Sequence, residues 1–473
     1  MLNIELVEQI KQNFFNKPTP EQELTMKMFA DFLLSADTDA VFLLKGYAGT
    51  GKTSLVSALV RTLGKLKQKC VLLAPTGRAA KVFSHHSGHP AYTIHRRIYR
   101  QRSFSNEMDN FTMNANLHQH TLFIVDEASM ISNLGLSGNV FGSGRLLDDL
   151  VQYVYGGQGC RLVLVGDTAQ LPPVGEEESP ALSADALRGY GLKVTAMELT
   201  QVVRQESESG ILYNATRLRR EMAEDAALGT LPRIRVAGFP DVKVVPGGEL
   251  IETLGTCYDR EGMDETIVIC RSNKRANLYN NGIRNTILYR EDELNAGDIL
   301  MVAKNNYFWG AEVKELDFIA NGDIAVVRRV RRVHEMYGFR FADVLLSFPD
   351  YGDIELDTKI LLDTLHTDAP ALSKEQNDRL FYAVLEDYQD IPTKAARMKK
   401  MKADPWYNAL QVKYAYAVTC HKAQGGQWQN VFIDQGYVTE EMLTPDYYRW
   451  LYTAFTRATG TLYLVNWPEG QID

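Results

Sequence analysis

Val41-Phe42-Leu43-Leu44-Lys45-Gly46-Tyr47-Ala48-Gly49-Thr50-Gly51-Lys52-Thr53 begins as an apolar, strand-forming run, passes through the pattern GxxxxGK[ST], and opens a helix-compatible stretch at Thr53. A glycine-rich loop between a strand and a helix start aims backbone N–H groups at one point, where the helix dipole also favours negative charge. Gly46, Gly49, Thr50, Gly51, Lys52 and Thr53 are therefore the expected phosphate cradle. Lys52 reaches the β- and γ-phosphates of ATP, and the Thr53 hydroxyl helps hold Mg²⁺.

The same flavour continues outward. Short β-rich runs at Val71 to Ala74, Thr121 to Val125 and Arg161 to Val165 alternate with helical stretches, which predicts a parallel α/β core. A second set at Thr266 to Cys270, Val431 to Asp434 and Thr461 to Val465 predicts a second such core, interrupted by an insertion. Within it, Gly297 to Leu362 shows strand-like runs separated by Asn321-Gly322-Asp323 and Asp350-Tyr351-Gly352, the pattern of a small antiparallel β module. Ser373 to Lys402 has helical composition, and Val412 to Val418 reads as the strand that returns to the second core. The expected division is 1–199 for the first core, 200–294 with 409–473 for the second, and 295–408 for the insertion. A polar segment, Arg96 to His120, interrupts the first core.

Composition narrows the function class. The 473 residues are 45% hydrophobic and 23% charged, the balance of a globular protein. With 59 acidic against 51 basic residues and a net charge of −8, coating of nucleic acid by bulk attraction is excluded, so any grip on it must be local. Five scattered cysteines without a CxxC pair argue against a disulfide framework or a zinc site and predict a reducing, cytoplasmic setting. No apolar run has the length of a membrane span, and no signal peptide is expected.

Thr121 to Val125 ends in Asp126-Glu127-Ala128-Ser129, which places two carboxylates where parallel strands deliver ligands. Asp126 suits Mg²⁺, directly or through water, and Glu127 suits the orientation and deprotonation of an attacking water. Gly166-Asp167-Thr168-Ala169-Gln170-Leu171-Pro172-Pro173-Val174 follows the next strand and offers Gln170 to the γ-phosphate.

GYAGTGKT, VDEASM and GDTAQLPPV, in this order, resemble motifs I, II and III of superfamily 1 helicases. The resemblance covers both α/β cores. Thr19-Pro20-Glu21-Gln22 is similar to the Q motif, which implies that Gln22 reads the adenine edge. Leu73 to Ala80 resembles motif Ia, Thr93-Ile94-His95 motif Ib, Tyr416 to Gly425 motif V, and Tyr452 to Ala458 motif VI. Arg204, in Leu199 to Gln205, and Arg457 become candidate arginine fingers. The form of motif V and the inserted β module resemble the RecD, Dda and Pif1 group, superfamily 1B, and within it Dda and RecD2-like helicases.

This resemblance implies two RecA-like P-loop domains, with a β-hairpin at about 96–120 and an SH3-like β module plus a helical segment at 295–408. It also implies a monomeric motor moving 5′ to 3′ on single-stranded DNA and opening forks with 5′ tails. Replication, repair and recombination are the implied settings, with proteins of replication and repair as partners and no membrane. Thr76, His95, Thr419 and His421 fall in motifs that grip the sugar-phosphate chain. The hairpin carries Phe104 and Phe111, either of which would stack on a base at the fork.

Three basic runs are candidate phosphate contacts: Arg96, Arg97, Arg100 and Arg102; Arg328, Arg329, Arg331 and Arg332; and Lys394 to Lys402. Asp350, Asp353, Glu355 and Asp357 are a candidate docking surface. The same motifs also permit an ATPase that remodels protein–nucleic acid complexes without processive unwinding, or a nucleotide switch without mechanical work.

Overall fold

The computed structural model describes residues 2–101, 111–135, 142–203, 208–223, 229–311, 313, 316 and 318–473. The first core contains β1 (Ala40–Gly46), β2 (Cys70–Ala74), β3 (Ala91–Thr93), β4 (Tyr99–Gln101), β5 (Phe111–Met113), β6 (Leu122–Val125), β7 (Arg161–Gly166) and β8 (Lys193–Leu199). Six of them form one parallel sheet in the order β3-β2-β6-β7-β1-β8. Its central strands are apolar on both faces because helices cover both. Phe42 and Leu44 pack with Phe29, Leu55 and Leu59 on one side, and Val41 and Leu43 pack with Leu147, Leu150 and Val154 on the other. β4 and β5 pair antiparallel as a separate hairpin.

The order of the first sheet sets the candidate site residues out along one edge. Its strand C-termini deliver, from β3 to β1, Thr93, Thr76, Asp126, Asp167 and the glycine-rich loop. The candidate strand-gripping residues thus occupy one half of the edge and the nucleotide residues the other half, as expected for the carboxyl ends of parallel strands.

The second core contains β9 (Val242–Val245) and β10 (Thr266–Cys270). The chain then leaves for β11 (Ile299–Val302), β12 (Ile324–Met336), β13 (Phe339–Phe348), β14 (Ile354–Leu361) and β15 (Leu410–Tyr414), which close into a five-stranded barrel. It returns as β16 (Ala417–Thr419), β17 (Trp428–Asp434) and β18 (Ala458–Val465), and the parallel sheet runs β16-β10-β17-β18-β9.

Val412 to Val418 is therefore not one returning strand. Leu410–Tyr414 closes the barrel against β11 and β14, and Ala417–Thr419 joins β10. The boundary expected at 409 moves beyond Tyr414 accordingly. Tyr337 and Gly338, both with positive φ, form the two-residue turn between β12 and β13, and the right-handed twist of a hairpin favours that geometry. Helices Lys374–Glu386 and Lys394–Lys402 pack on the barrel through Leu380, Val384 and Met401 against Phe339, Phe341 and Leu361.

Barrel and second core share one apolar interior, which runs from Val268 and Phe432 to Leu300, Val344 and Val412. Both chain crossings between them are pinned by Asp298, a fully buried carboxylate. It accepts hydrogen bonds from Arg284 (3.0 Å), Arg290 (2.5 Å), the Tyr416 hydroxyl (2.9 Å) and the Asn295 amide (2.7 Å). Among the described residues no helix is long and apolar enough to cross a membrane.

Candidate functional site

Gly49 and Gly51 adopt left-handed conformations, φ +77° and +81°, and a Cβ on Gly51 would come within 2.6 Å of the Gln22 amide. Gln22 is buried there by its own helix start. Its Oε1 accepts from the Thr19 amide (3.0 Å) while the Thr19 hydroxyl caps the Gln22 amide, a reciprocal capping box. Its Nε2 donates to the Thr50 carbonyl at 2.9 Å, so the residue expected to read adenine also braces the loop. The Thr50 hydroxyl closes the loop onto the Tyr47 carbonyl at 2.8 Å. Lys52 Nζ donates to the Gly46 and Tyr47 carbonyls at 2.6 and 2.8 Å and lies 3.8 Å from Asp167. Gly46 abuts the Lys52 and Thr50 side chains, and Thr53 lines the cleft one residue further on.

Beside the loop, Asp126 and Glu127 leave the end of β6. Glu127 takes a left-handed backbone, φ +53°, which non-glycine residues adopt at a cost. The Glu127 amide donates to Asp126 at 2.9 Å. Burial, reinforced by the neighbouring Glu127 charge, lifts the Asp126 carboxyl to about 7. The Asp126 carboxyl and the Thr53 hydroxyl line the same cleft, a hard-oxygen donor set of the kind Mg²⁺ takes. Gln170 is buried in that cleft, and its Oε1 has no hydrogen-bond partner among the described residues. An acceptor of this kind fits a water or ligand hydroxyl.

The second core closes the cleft, a space of about 1120 Å³, with the segment that joins helix Pro445–Phe455 to β18. Arg457 is buried in that segment. It donates to the carbonyls of Thr453 (3.1 Å) and Gly426 (3.2 Å) and stands 3.8 Å from Glu127 Oε1. Arg204 lies outside the described residues. Its neighbour Val203 donates its amide to the Gly49 carbonyl at 2.9 Å, which brings that block to the loop.

The structure adds residues that the motif reading did not single out. Asp167, Tyr452, Thr453 and Gln424 tie the Gly166–Val174 loop to the second core by hydrogen bonds of 2.7 to 2.8 Å. Their only signal in the sequence is their place inside the blocks YTAFTRA, HKAQG and GDTAQLPPV. Tyr47, an unspecified position of the loop pattern, donates to Glu198 at 2.8 Å and carries the Arg219 guanidinium 4.0 Å over its ring.

The strand-gripping candidates are distributed as follows. Thr76 caps helix Gly77–Ser87 by accepting from the Ala79 amide, and a Cβ on Gly425 would sit 3.2 Å from its hydroxyl, so motifs Ia and V meet across the cores. His95 lies beside the Tyr99 ring, and burial pushes its imidazole down to about 4, leaving it neutral at pH 7. Thr419 ends β16, and His421 is exposed two residues later. Cys270 ends β10 opposite Thr419, and Arg271, the next residue, is a further candidate there. Phe104 and Arg102 lie outside the described residues.

Three expectations are corrected. Phe111 is buried against Tyr307 and Phe318 of the insertion, with ring centroids 4.3 and 6.1 Å away, and is not placed to stack on a base. Within the run Arg328 to Arg332, Arg328 pairs with Asp353 and Glu355 and Arg331 with Asp357, because β12 and β14 flank β13. Two arginines of the basic run thus meet three carboxylates of the acidic group, whose fourth, Asp350, pairs with Lys81. In the first run Arg96 lies over the Tyr351 ring and Arg97 bonds His118 at 2.7 Å.

Residues 26–236 match the family model of an AAA domain, and residues 414–465 match that of a UvrD-like helicase C-terminal domain. The chain is 20% identical over 527 residues to an uncharacterised protein of Acanthamoeba polyphaga mimivirus, covering 93% of this chain and 98% of the relative. It is 31% identical over 173 residues to the ATP-dependent RecD2 DNA helicase of Deinococcus radiodurans, covering 36% of this chain and 21% of that protein. Among solved structures, one of Pif1 helicases at forked duplex DNA is similar at 16% identity with a TM-score of 0.49, covering 97% and 94% of the two chains.

Proposed function

We propose that the chain is a Pif1/RecD-like helicase of superfamily 1, which hydrolyses ATP in the cleft between its cores, moves 5′ to 3′ on single-stranded DNA, and opens duplexes that carry a 5′ tail. The observation that carries this reading is the meeting of Glu127, from the first core, with Arg457, from the second, 3.8 Å apart beside the phosphate loop. A nucleotide-binding protein that does no work has little use for that pair.

The loop amides and Lys52 hold the β- and γ-phosphates. Glu127 orients a water and accepts its proton as the oxygen attacks the γ-phosphorus, and the bond to the β-phosphate oxygen breaks to give ADP and phosphate. Gln170 offers its free oxygen to the attacking water. Arg457 meets the charge that spreads over the γ-oxygens, a contribution of about 10³ to 10⁵ in rate for a well-placed finger. Mg²⁺, held by Thr53 and Asp126, would supply neutralisation of the phosphate charge. Because Arg457 belongs to the second core, turnover requires the cleft to close, and release of product lets it open. Alternation of grip between Thr76 and His95 on one core and Thr419 and His421 on the other turns that cycle into a step. Contacts of this kind reach sugar and phosphate, which gives grip without sequence choice.

The test is strand separation with ATP and Mg²⁺ on two matched duplexes, one with a 5′ tail and one with a 3′ tail. Opening of the 5′-tailed substrate alone is expected. Opening of the 3′-tailed one alone refutes the direction. Opening of neither, with DNA-stimulated ATP hydrolysis intact, makes the chain a translocase or remodeller.

A further inference from the structure

Helix Pro445–Phe455 reaches the first core through Tyr452 and Thr453, and at its outer turn through Arg449, which donates to the Glu177 carbonyl at 2.6 Å. The Tyr452 hydroxyl donates to Asp167 Oδ2 at 2.7 Å and accepts from the Ala48 amide of the phosphate loop at 2.8 Å. The Thr453 hydroxyl accepts from the Leu171 amide at 2.8 Å, and Gln424 Nε2 donates to the Leu171 carbonyl at 2.7 Å. Tyr452 and Thr453 are both fully buried, and Asp167 is 1% exposed, so these bonds are not shared with water. The other oxygen of Asp167 accepts from the Ala169 amide at 2.9 Å and so orders the turn that carries Gln170.

We propose that Tyr452 is a positioning residue for ATP hydrolysis, one that ties the phosphate loop and the Gln170 turn to the helix whose end seats Arg457 against Glu127. The proposal rests on the reading of the cleft as an ATPase site. A phenol is suited to this place because it donates and accepts through one atom. Phenylalanine would leave both the Asp167 oxygen and the Ala48 amide without their partner. A helix is stiff, and Arg457 follows Tyr452 by five residues, so the register that Tyr452 fixes is passed on to the guanidinium. Tyr452 does not line the cleft, so it acts through the groups it holds rather than by touching phosphate.

The test compares steady-state ATP hydrolysis, at saturating single-stranded DNA, for wild type, Tyr452→Phe, Arg457→Lys and the double variant. Tyr452→Phe is expected to lower kcat at least tenfold, with KM for ATP changed less than threefold. In the Arg457→Lys background the same substitution is expected to lower kcat less than twofold, since both act through one group. Effects that multiply independently, or a wild-type kcat for Tyr452→Phe, overturn the proposal. If Tyr452→Phe fails to fold, Thr453→Val and Thr453→Ser decide it: valine should reproduce the kcat loss at unchanged KM, serine should restore kcat, and equal behaviour of the two overturns it. A wild type that does not hydrolyse ATP would refute the ATPase reading. The positioning contact would then be judged by amide hydrogen exchange at Ala48 and over residues 445–455, expected to rise at least tenfold in Tyr452→Phe, with unchanged exchange overturning it.

Discussion

Replacement of Phe111 by alanine should uncouple strand opening from ATP hydrolysis. Phe111 is 7% exposed and opens β5, where its ring meets Tyr307 at 4.3 Å and Phe318 at 6.1 Å. Truncating a buried phenylalanine costs about 3 to 5 kcal/mol where its whole environment is lost. Aromatic pairs contribute about 0.5 to 1.5 kcal/mol each beyond area. Since Tyr307 and Phe318 still pack on each other at 5.4 Å, a loss of about 3 kcal/mol is expected, roughly a hundredfold in the population of the seated hairpin. Neither ring lies in the nucleotide cleft. Unwinding of a 5′-tailed fork should therefore fall at least tenfold, while ATP hydrolysis stimulated by single-stranded DNA stays within twofold. Phe111→Leu, which keeps most of the buried area, should fall between, and Tyr307→Ala added to Phe111→Ala should cost little more, because the two residues share one contact. Unwinding by Phe111→Ala within twofold of wild type would refute the idea that this aromatic joint holds the hairpin for its work.

Lys52→Ala should lower kcat for ATP about a hundredfold to a thousandfold, the scale for loss of one preorganised donor to developing charge, and abolish unwinding; turnover near wild type in a phosphate-release assay would remove the assigned site. Asp323 is buried beside Tyr351, which donates to it at 2.9 Å, and burial lifts its carboxyl to about 7. A raised carboxyl pKa favours the folded state most at low pH, and that contribution declines as pH climbs from about 4 to 7, by up to about 4 kcal/mol. Asp323→Asn should flatten that slope and raise the midpoint of urea unfolding at pH 8, and an unchanged pH profile would contradict the assignment. Arg284→Leu leaves Asp298 buried without its bidentate partner and should destabilise by about 3 to 5 kcal/mol, read as a fall in the thermal midpoint; a loss under about 1 kcal/mol would show that Arg290 and Tyr416 suffice.

The nucleotide half of the site was legible because its chemistry is contiguous. A strand, a glycine loop and a lysine lie within thirteen residues, and the acid pair follows directly on a strand end. Tyr452 was hidden for the opposite reason: it meets Ala48 across 404 residues, and nothing local to YTAFTRA says that its hydroxyl faces the loop. The pairing of Arg328 and Arg331 was hidden because their partners Glu355 and Asp357 sit on β14, two strands away in the barrel, and two register shifts break the alternation that would have shown which arginines face them. The return to the second core was misplaced because Val412 to Val418 is apolar except for Lys413 and changes sheets at Ala415-Tyr416 without glycine or proline. Tyr416 turns there because its hydroxyl is held by Asp298 and Arg290, partners more than a hundred residues back.

Those partners also bear on how motion passes through the molecule. The barrel is bound to the second core by a shared apolar interior and by a buried carboxylate with four donor groups, contacts that break only at a cost of several kcal/mol. The insertion meets the first core through Lys81 and Asp350 at 3.4 Å, with Lys81 half exposed, through the Tyr351 corner near Gly77, and through the packing of Tyr307 and Phe318 on Phe111. An ion pair of that exposure is worth about 1 kcal/mol or less. On the proposed motor reading, the barrel is expected to travel with the second core, because the shared interior and the four donors to Asp298 hold it there. The aromatic joint of Phe111, Tyr307 and Phe318 is then the contact through which such travel is expected to reach β5, and the Phe111→Ala comparison of unwinding with ATP hydrolysis tests that coupling.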